Sequence, residues 1–256
     1  MPDSKMSFVP PAPANDWLVI CDFDGTIAHV DVTDGVLSRF ALPQWEAIEA
    51  DWKAGQIGSR ECMARQVDLV RAPREALDAY LDTVEIDPDF PAFVADCRAR
   101  GLEVVVISDG IDYSIRRILA RHGVDDLPLA SNRLKLLGGD RYSLEFPEAN
   151  TKCSAGSGTC KCQVSGRRAS GRSRLLIGDG SSDFCLAAEA DMVFAKDKLL
   201  TRCIERNLPH RACPDFASAR QLLQRLERRS VHRARGGAEL HPSVSPVISL
   251  ETLVNG

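Results

Sequence analysis

Two aspartates one residue apart, Asp22 and Asp24, follow an apolar run, Trp17-Leu18-Val19-Ile20-Cys21. Such a run reads as a strand buried on both faces. Residues at i and i+2 of an extended chain point the same way. Two carboxylates meeting at a strand end repel each other unless a cation sits between them, and hard oxygen ligands in that arrangement imply Mg2+. Gly25 permits a tight exit from the strand, and Thr26 then offers a hydroxyl or a backbone amide. Asp and Gly also leave strands for purely structural reasons, so this pair alone decides little.

A second acidic strand end lies far down the chain. Leu175-Leu176-Ile177-Gly178-Asp179-Gly180-Ser181-Ser182-Asp183 is another buried run entering Gly and two acids. Asp179 ends that strand, and Asp183 opens the helix that follows, about one turn away. Between the two sites, Glu103-Val104-Val105-Val106-Ile107-Ser108-Asp109-Gly110 predicts a third buried strand, ending in a hydroxyl. Open parallel sheets bind ligands beyond the carboxyl ends of their strands. All three strands therefore deliver polar residues to one rim.

Asp22-Phe23-Asp24-Gly25-Thr26, Ser108, a lysine ahead of the last site and Gly178-Asp179-Gly180-Ser181-Ser182-Asp183 resemble the four motifs of the haloacid dehalogenase (HAD) superfamily of phosphatases. The resemblance runs from about Trp17 to Leu208. It implies that Asp22 is a nucleophile that becomes an aspartyl-phosphate and that Asp24 is the general acid and base. It also implies that Ser108 hydrogen-bonds the phosphoryl oxygens, with Thr26, Asp109 and Gly110 around the substrate. Lys161 would pair with nucleophile and phosphate, and Mg2+ would be held by Asp179 and Asp183 together with Asp22 and Asp24. The chemistry is consistent: a carboxylate can attack phosphorus covalently, and a phosphate dianion approaches it only once Mg2+ and a lysine neutralise the charge. Lys152 competes with Lys161 for the lysine position. Lys161 is preferred because Gln163 to Ser173 leaves room for one helix before the last strand, although its glycines and arginines make that helix a poor one.

The elements that must position these groups form a doubly wound, mostly parallel α/β core with an insertion. The core is expected over 16–30 and 88–228. Within it lie helices Phe90 to Arg100, Ile111 to His122, Leu199 to Asn207 and Phe216 to Arg228, and a strand over Met192-Phe194. From Asp34 to Val84, apolar residues recur at helical spacing, with Pro43 and Pro73 where helices begin. A helical cap over 31–87, resembling the small helical bundle of the phosphoserine phosphatase branch, follows from that pattern.

The cap should choose the substrate. Asp31 stands where that branch places an acid for a substrate amine. Gln66 falls where it places an arginine for a carboxylate, with Arg60 and Arg65 nearby. Glutamine cannot replace an arginine fork. Ser59-Arg60-Glu61, Cys160-Lys161-Cys162 and Val193-Phe194-Ala195-Lys196-Asp197 resemble a methionine-salvage branch acting on 2-hydroxy-3-keto-5-methylthiopentenyl-1-phosphate. Phosphoserine hydrolysis, phosphotransfer on the same fold and a non-catalytic binding role are the competing readings. The last would be expected to have lost one of the key acids or the lysine.

Composition sets the outer bounds. The 256 residues, 44% hydrophobic and 27% charged, are those of an ordinary globular protein. A net charge of −4 gives no electrostatic case for nucleic acid. No apolar run approaches the ~20 residues that span a bilayer. A cytoplasmic monomer or homodimer acting on a small phosphomonoester is the expectation, with flexible tails at 1–15 and 229–256. The nine cysteines are an odd number and do not make a disulfide framework. Cys153, Cys160 and Cys162 cluster on a Gly-rich loop, where zinc or redox chemistry competes with a packing role.

Overall fold

The computed structural model describes residues 17–235, with side chains to 225. The chain divides into two compact units, Met1–Gln221 and Leu222–Gly256. Strand β1 (Trp17–Cys21) leads into four helices: α1 (Val32–Phe40), α2 (Trp45–Lys53), α3 (Ser59–Val67) and α4 (Arg74–Leu81). The chain then returns through α5 (Phe90–Ala99), β2 (Glu103–Ile111), α6 (Asp112–Arg121), β3 (Leu129–Gly138) and β4 (Arg141–Glu145). It continues with α7 (Lys161–Ala169), β5 (Ser173–Gly178), a 3-10 turn at Ser181–Asp183 and α8 (Phe184–Ala187). The last elements are β6 (Met192–Ala195), α9 (Asp197–Glu205), β7 (His210–Ala212) and α10 (Phe216–Arg235), the last of which carries the described part of the second unit.

The sheet runs in the order β4-β3-β2-β1-β5-β6-β7. Every neighbouring pair is parallel except the antiparallel β3 and β4. β1 sits centrally between β2 and β5, so the strand order reverses there and opens a crevice at the carboxyl ends. The continuous apolar runs explain this placement: Leu18, Ile20, Val105, Ile107, Leu176 and Val193 are all buried in one cluster. Each such side chain contributes roughly 1.5–3 kcal/mol by leaving water.

The four inserted helices leave after β1 and come back beside it. Ala28 and Ile86 form an isolated antiparallel bridge, and the Asp87 N–H donates to the Ile27 carbonyl at 2.9 Å. Within the insertion, Gly35 lets α1 meet α4, since a Cβ there would stand 1.8 Å from the Tyr80 hydroxyl. Tyr80 packs edge-on against Phe40 and lies under the Arg39 guanidinium.

Several expectations need correction. β2 runs past Ser108 to Ile111, because a register shift between Ile107 and Ile111 lets Ile111 pair with Asn132. The following helix therefore starts at Asp112. α7 begins at Lys161 and stops at Ala169, where Ser170 and Gly171 take positive φ, rather than spanning Gln163 to Ser173. Its arginines and the one that follows it are ion-paired: Arg168 and Arg172 both hold Glu103, and Arg167 holds Glu148. α10 continues to Arg235, into the expected tail. The tail expected at 1–15 and the rest of the other lie outside the described residues. Among the described residues no helix is long and apolar enough to cross a membrane.

Candidate active site

β1 and β5 end where β2 passes Ser108, and side chains from all three meet there. Asp22 is buried, and its Oδ1 accepts the Phe23 N–H at 2.7 Å. Its Oδ2 lies 2.7 Å from the Lys161 Nζ, which reaches Asp183 Oδ1 at the same distance. The Ser182 hydroxyl joins this centre, accepting from Lys161 at 3.1 Å and donating to Asp22 at 3.3 Å. Lys161 arrives here because it is the first residue of α7, whose start is aimed at the rim. Lys152, its rival in the sequence, is exposed.

Ligand oxygens of Asp22, Asp179 and Asp183 all lie within 4.8 Å of one another. Thr26 donates to Asp179 Oδ1 at 2.6 Å. Gly25, at φ +70°, allows the chain to turn there, and a Cβ on it would stand 2.5 Å from Asp179 Oδ2. A Cβ on Gly178 would stand 2.2 Å from Asp183 Oδ2. That oxygen is buried without a hydrogen-bond partner. An orphaned carboxylate oxygen beside two other acids is a donor set that fits a small, hard divalent cation.

The electrostatics point the same way. Burial, then the charge of Asp22, pushes the Asp183 carboxyl up to about 7 against the pull of Lys161. Burial also raises Asp179, opposed by the Thr26 hydrogen bond. Burial pulls the Lys161 ammonium down, but Asp183 and Asp22 outweigh it and hold Lys161 above its ordinary range. Three carboxyls thus share one ammonium, and the raised Asp183 and Asp179 register that crowding as well as burial.

Asp24, expected among the metal ligands, stands outside that group of three. Its Oδ1 accepts the Val32 N–H at 2.8 Å, because the chain curls back over it into α1. Burial and then Asp31 hold its carboxyl well above the usual carboxylate range, against the Val32 hydrogen bond. Gly110 lets β2 close on it, since a Cβ there would stand 2.5 Å from Asp24 Oδ2. The buried Ser108 hydroxyl accepts the Gly110 N–H at 2.9 Å, which leaves its own hydrogen to donate.

A cavity of about 630 Å³ opens over these groups, between the rim and the inserted helices. Ser59, Cys62, Met63 and Gln66 line it, the i, i+3, i+4, i+7 face of α3. Arg60 and Arg65, expected to bind substrate, fall on other faces of the same helix and do not line it. Arg65 is exposed and pairs with Glu61 and Asp51, and Arg60 is exposed with its backbone N–H bound to Gly156. Asp31 does line the cavity, with one oxygen occupied in capping α1 by accepting the Asp34 N–H at 2.9 Å. A larger groove of about 920 Å³ lies elsewhere, but Arg117 and Arg121 in its wall are paired with Asp78, Asp82 and Glu85.

Sequence reasoning missed Ser182, Glu49, Lys53, Asn132 and Thr159. Ser182 sits inside a motif already singled out, so its spacing from Asp183 was a usable signal. Glu49 donates nothing to a motif; it is found only because Gln66 Nε2 donates to it at 2.9 Å, beside its ion pair with Lys53. Cys153, Cys160 and Cys162 are free thiols, and among the described residues only Asp22, Asp179 and Asp183 gather as a metal-ligating group.

The haloacid dehalogenase-like hydrolase family matches residues 19–188. A 2-hydroxy-3-keto-5-methylthiopentenyl-1-phosphate phosphatase from Brevibacillus brevis is 30% identical over 218 residues, 84% of this chain and 98% of that protein. The enzyme of the same description from Geobacillus thermodenitrificans is 32% identical, covering 82% of this chain and 96% of its own. A substrate-bound phosphoserine phosphatase has the same fold, with a TM-score of 0.59 at 18% identity, covering 81% of this chain and 96% of that one.

Proposed function

The chain belongs to the haloacid dehalogenase-like hydrolases, as a phosphatase, and from that premise we propose that it cleaves a small phosphomonoester with Mg2+ through an aspartyl-phosphate on Asp22. The observation that carries this reading is the Lys161 ammonium held between Asp22 and Asp183, beside the orphaned Asp183 oxygen.

Asp22, Asp179 and Asp183 are the residues that would hold Mg2+. When bound, the ion would offset the negative charge of the phosphate against these acids. Lys161 and the Ser108 hydroxyl orient the phosphoryl oxygens. An Asp22 carboxylate oxygen bonds to phosphorus as the ester P–O bond breaks, and Asp24, kept protonated by its raised pKa, gives its proton to the leaving oxygen. Asp24, now a carboxylate, takes a proton from water. That water attacks phosphorus, the bond to Asp22 breaks, and inorganic phosphate leaves.

The substrate we favour carries an uncharged leaving group, as in the methylthiopentenyl phosphate of the relatives' names. Gln66 faces the cavity in place of an arginine, and Glu49 sits against it. A carboxylate entering there meets an acid and no guanidinium. Cys62, Met63 and Trp52 offer apolar wall instead.

The test is a panel of small phosphomonoesters, including phosphoserine, with Mg2+ or EDTA, on the wild type and Asp22→Asn. Turnover should require Mg2+, favour uncharged leaving groups over phosphoserine, and fall about ten-thousand-fold in Asp22→Asn. Activity of Asp22→Asn within tenfold of wild type would remove the covalent step, and a preference for phosphoserine would overturn the substrate reading.

A further inference from the structure

Asp109 follows the phosphate-binding Ser108, and the sequence marked it as a substrate contact. Its carboxylate is already committed. Oδ2 accepts the Ser59 hydroxyl at 2.8 Å, and Oδ1 accepts the Thr159 N–H at 2.8 Å and the Asn132 amide at 3.1 Å. Asn132 Nδ2 also donates to the Asp109 carbonyl at 2.5 Å, and the Thr159 hydroxyl donates to Asn132 Oδ1 at 3.1 Å. Asn132 is fully buried.

These partners come from separate parts of the chain. Ser59 is the first residue of α3, the helix that roofs the cavity; Asn132 is on β3; Thr159 lies two positions before Lys161. α3 also touches the loop that carries Thr159 directly, through the Arg60 N–H to the Gly156 carbonyl at 3.0 Å. All three side-chain and backbone partners donate, so the acceptor-only carboxylate suits the junction as an amide would not.

We propose that Asp109 is a positioning residue, a latch that fastens α3 over the cavity through Ser59 and ties that closure to the segment delivering Lys161. The latch does not touch the reacting atoms. It fixes where the α3 wall stands relative to a leaving group held at Asp22. This inference rests on the phosphatase reading of the cavity, but half of its test does not.

The experiment compares Ser59→Ala and Ser59→Thr with wild type, by hydrogen–deuterium exchange and by steady-state hydrolysis of p-nitrophenyl phosphate. In Ser59→Ala the amides of Ser59–Val67 and of 151–160 should exchange faster. KM should rise roughly fivefold, the worth of one net hydrogen bond, with kcat changed by less than about twofold. Ser59→Thr keeps the hydroxyl and should restore both. Asp109→Ala removes all of these side-chain acceptors at once and should loosen 151–160 more than Ser59→Ala does. Unchanged exchange in Ser59→Ala overturns the latch. Faster exchange with unchanged KM overturns its positioning role. If p-nitrophenyl phosphate is not hydrolysed by any variant, the phosphatase reading fails, while exchange still decides whether the latch exists.

Discussion

At Gln66 the substrate reading proposed above comes down to a single side chain lining the cavity. Its amide is spent on Glu49, which in turn holds Lys53 at 3.2 Å. Introducing Gln66→Arg alone would set a guanidinium beside Glu49 and let the two neutralise each other. Phosphoserine turnover relative to an uncharged ester should then rise little. Adding Glu49→Gln frees the fork for a substrate carboxylate, and the double variant should raise that ratio roughly tenfold or more. Competition assays on mixed substrates would read this directly, and equal ratios for single and double variants would contradict it. Asp22, Asp24 and Asp179 were legible in the sequence because they end apolar strands in glycine-containing turns, and Asp183 because it follows one of them by about a turn. Glu49 was not, because its role depends on two helices packing, and no spacing along one chain segment encodes that.

Elements with a strong period were foreseen, and those without were missed. β1, β2 and β5 are continuous apolar runs, and the helices of the insertion repeat every three to four residues. The β3–β4 hairpin escaped because its outer half is solvent-facing: Leu136 and Leu137 are 54% and 57% exposed, which blurs the alternation. The Gly138-Gly139 pair at its tip, both at positive φ, was the available signal. β7 is three residues long and carries His210 and Arg211, too short and polar to read. Helix contact inside the insertion yields a sharper test. Alanine at Gly35 gains about 1 kcal/mol of helix propensity but forces Tyr80 off Phe40 and Arg39, an overpacking cost of roughly 1–3 kcal/mol. Gly35→Ala should therefore lower the melting temperature by a few degrees, measured by calorimetry. A rise would mean that Tyr80 swings aside freely.

For the molecule as a whole, three acids meeting at one point are a store of repulsion that only the folded chain assembles. A cation that binds there should stabilise the fold, by about 2.7 kcal/mol at a hundredfold excess over its Kd. For a chain of this length that corresponds to a melting temperature roughly 5–10 °C higher. Mg2+ should produce that shift, EDTA should reverse it, and Gly178→Ala should abolish it by displacing Asp183. An unchanged melting curve for wild type would argue that the acids hold no cation. The bridge between Ala28 and Ile86 carries a consequence of another kind. Because the insertion departs and returns through adjacent backbone, the chain itself joins it to the sheet at one seam, and the rest is fastened by separable bonds such as Ser59 to Asp109 and Ala72 to Asp140. Evolution, or a designer, could exchange that segment without cutting β1 out of the sheet, provided the replacement returns the bonds that Val32 gives Asp24 and Ser59 gives Asp109. On the proposed reading, a new specificity would then need a new insertion and no new catalyst.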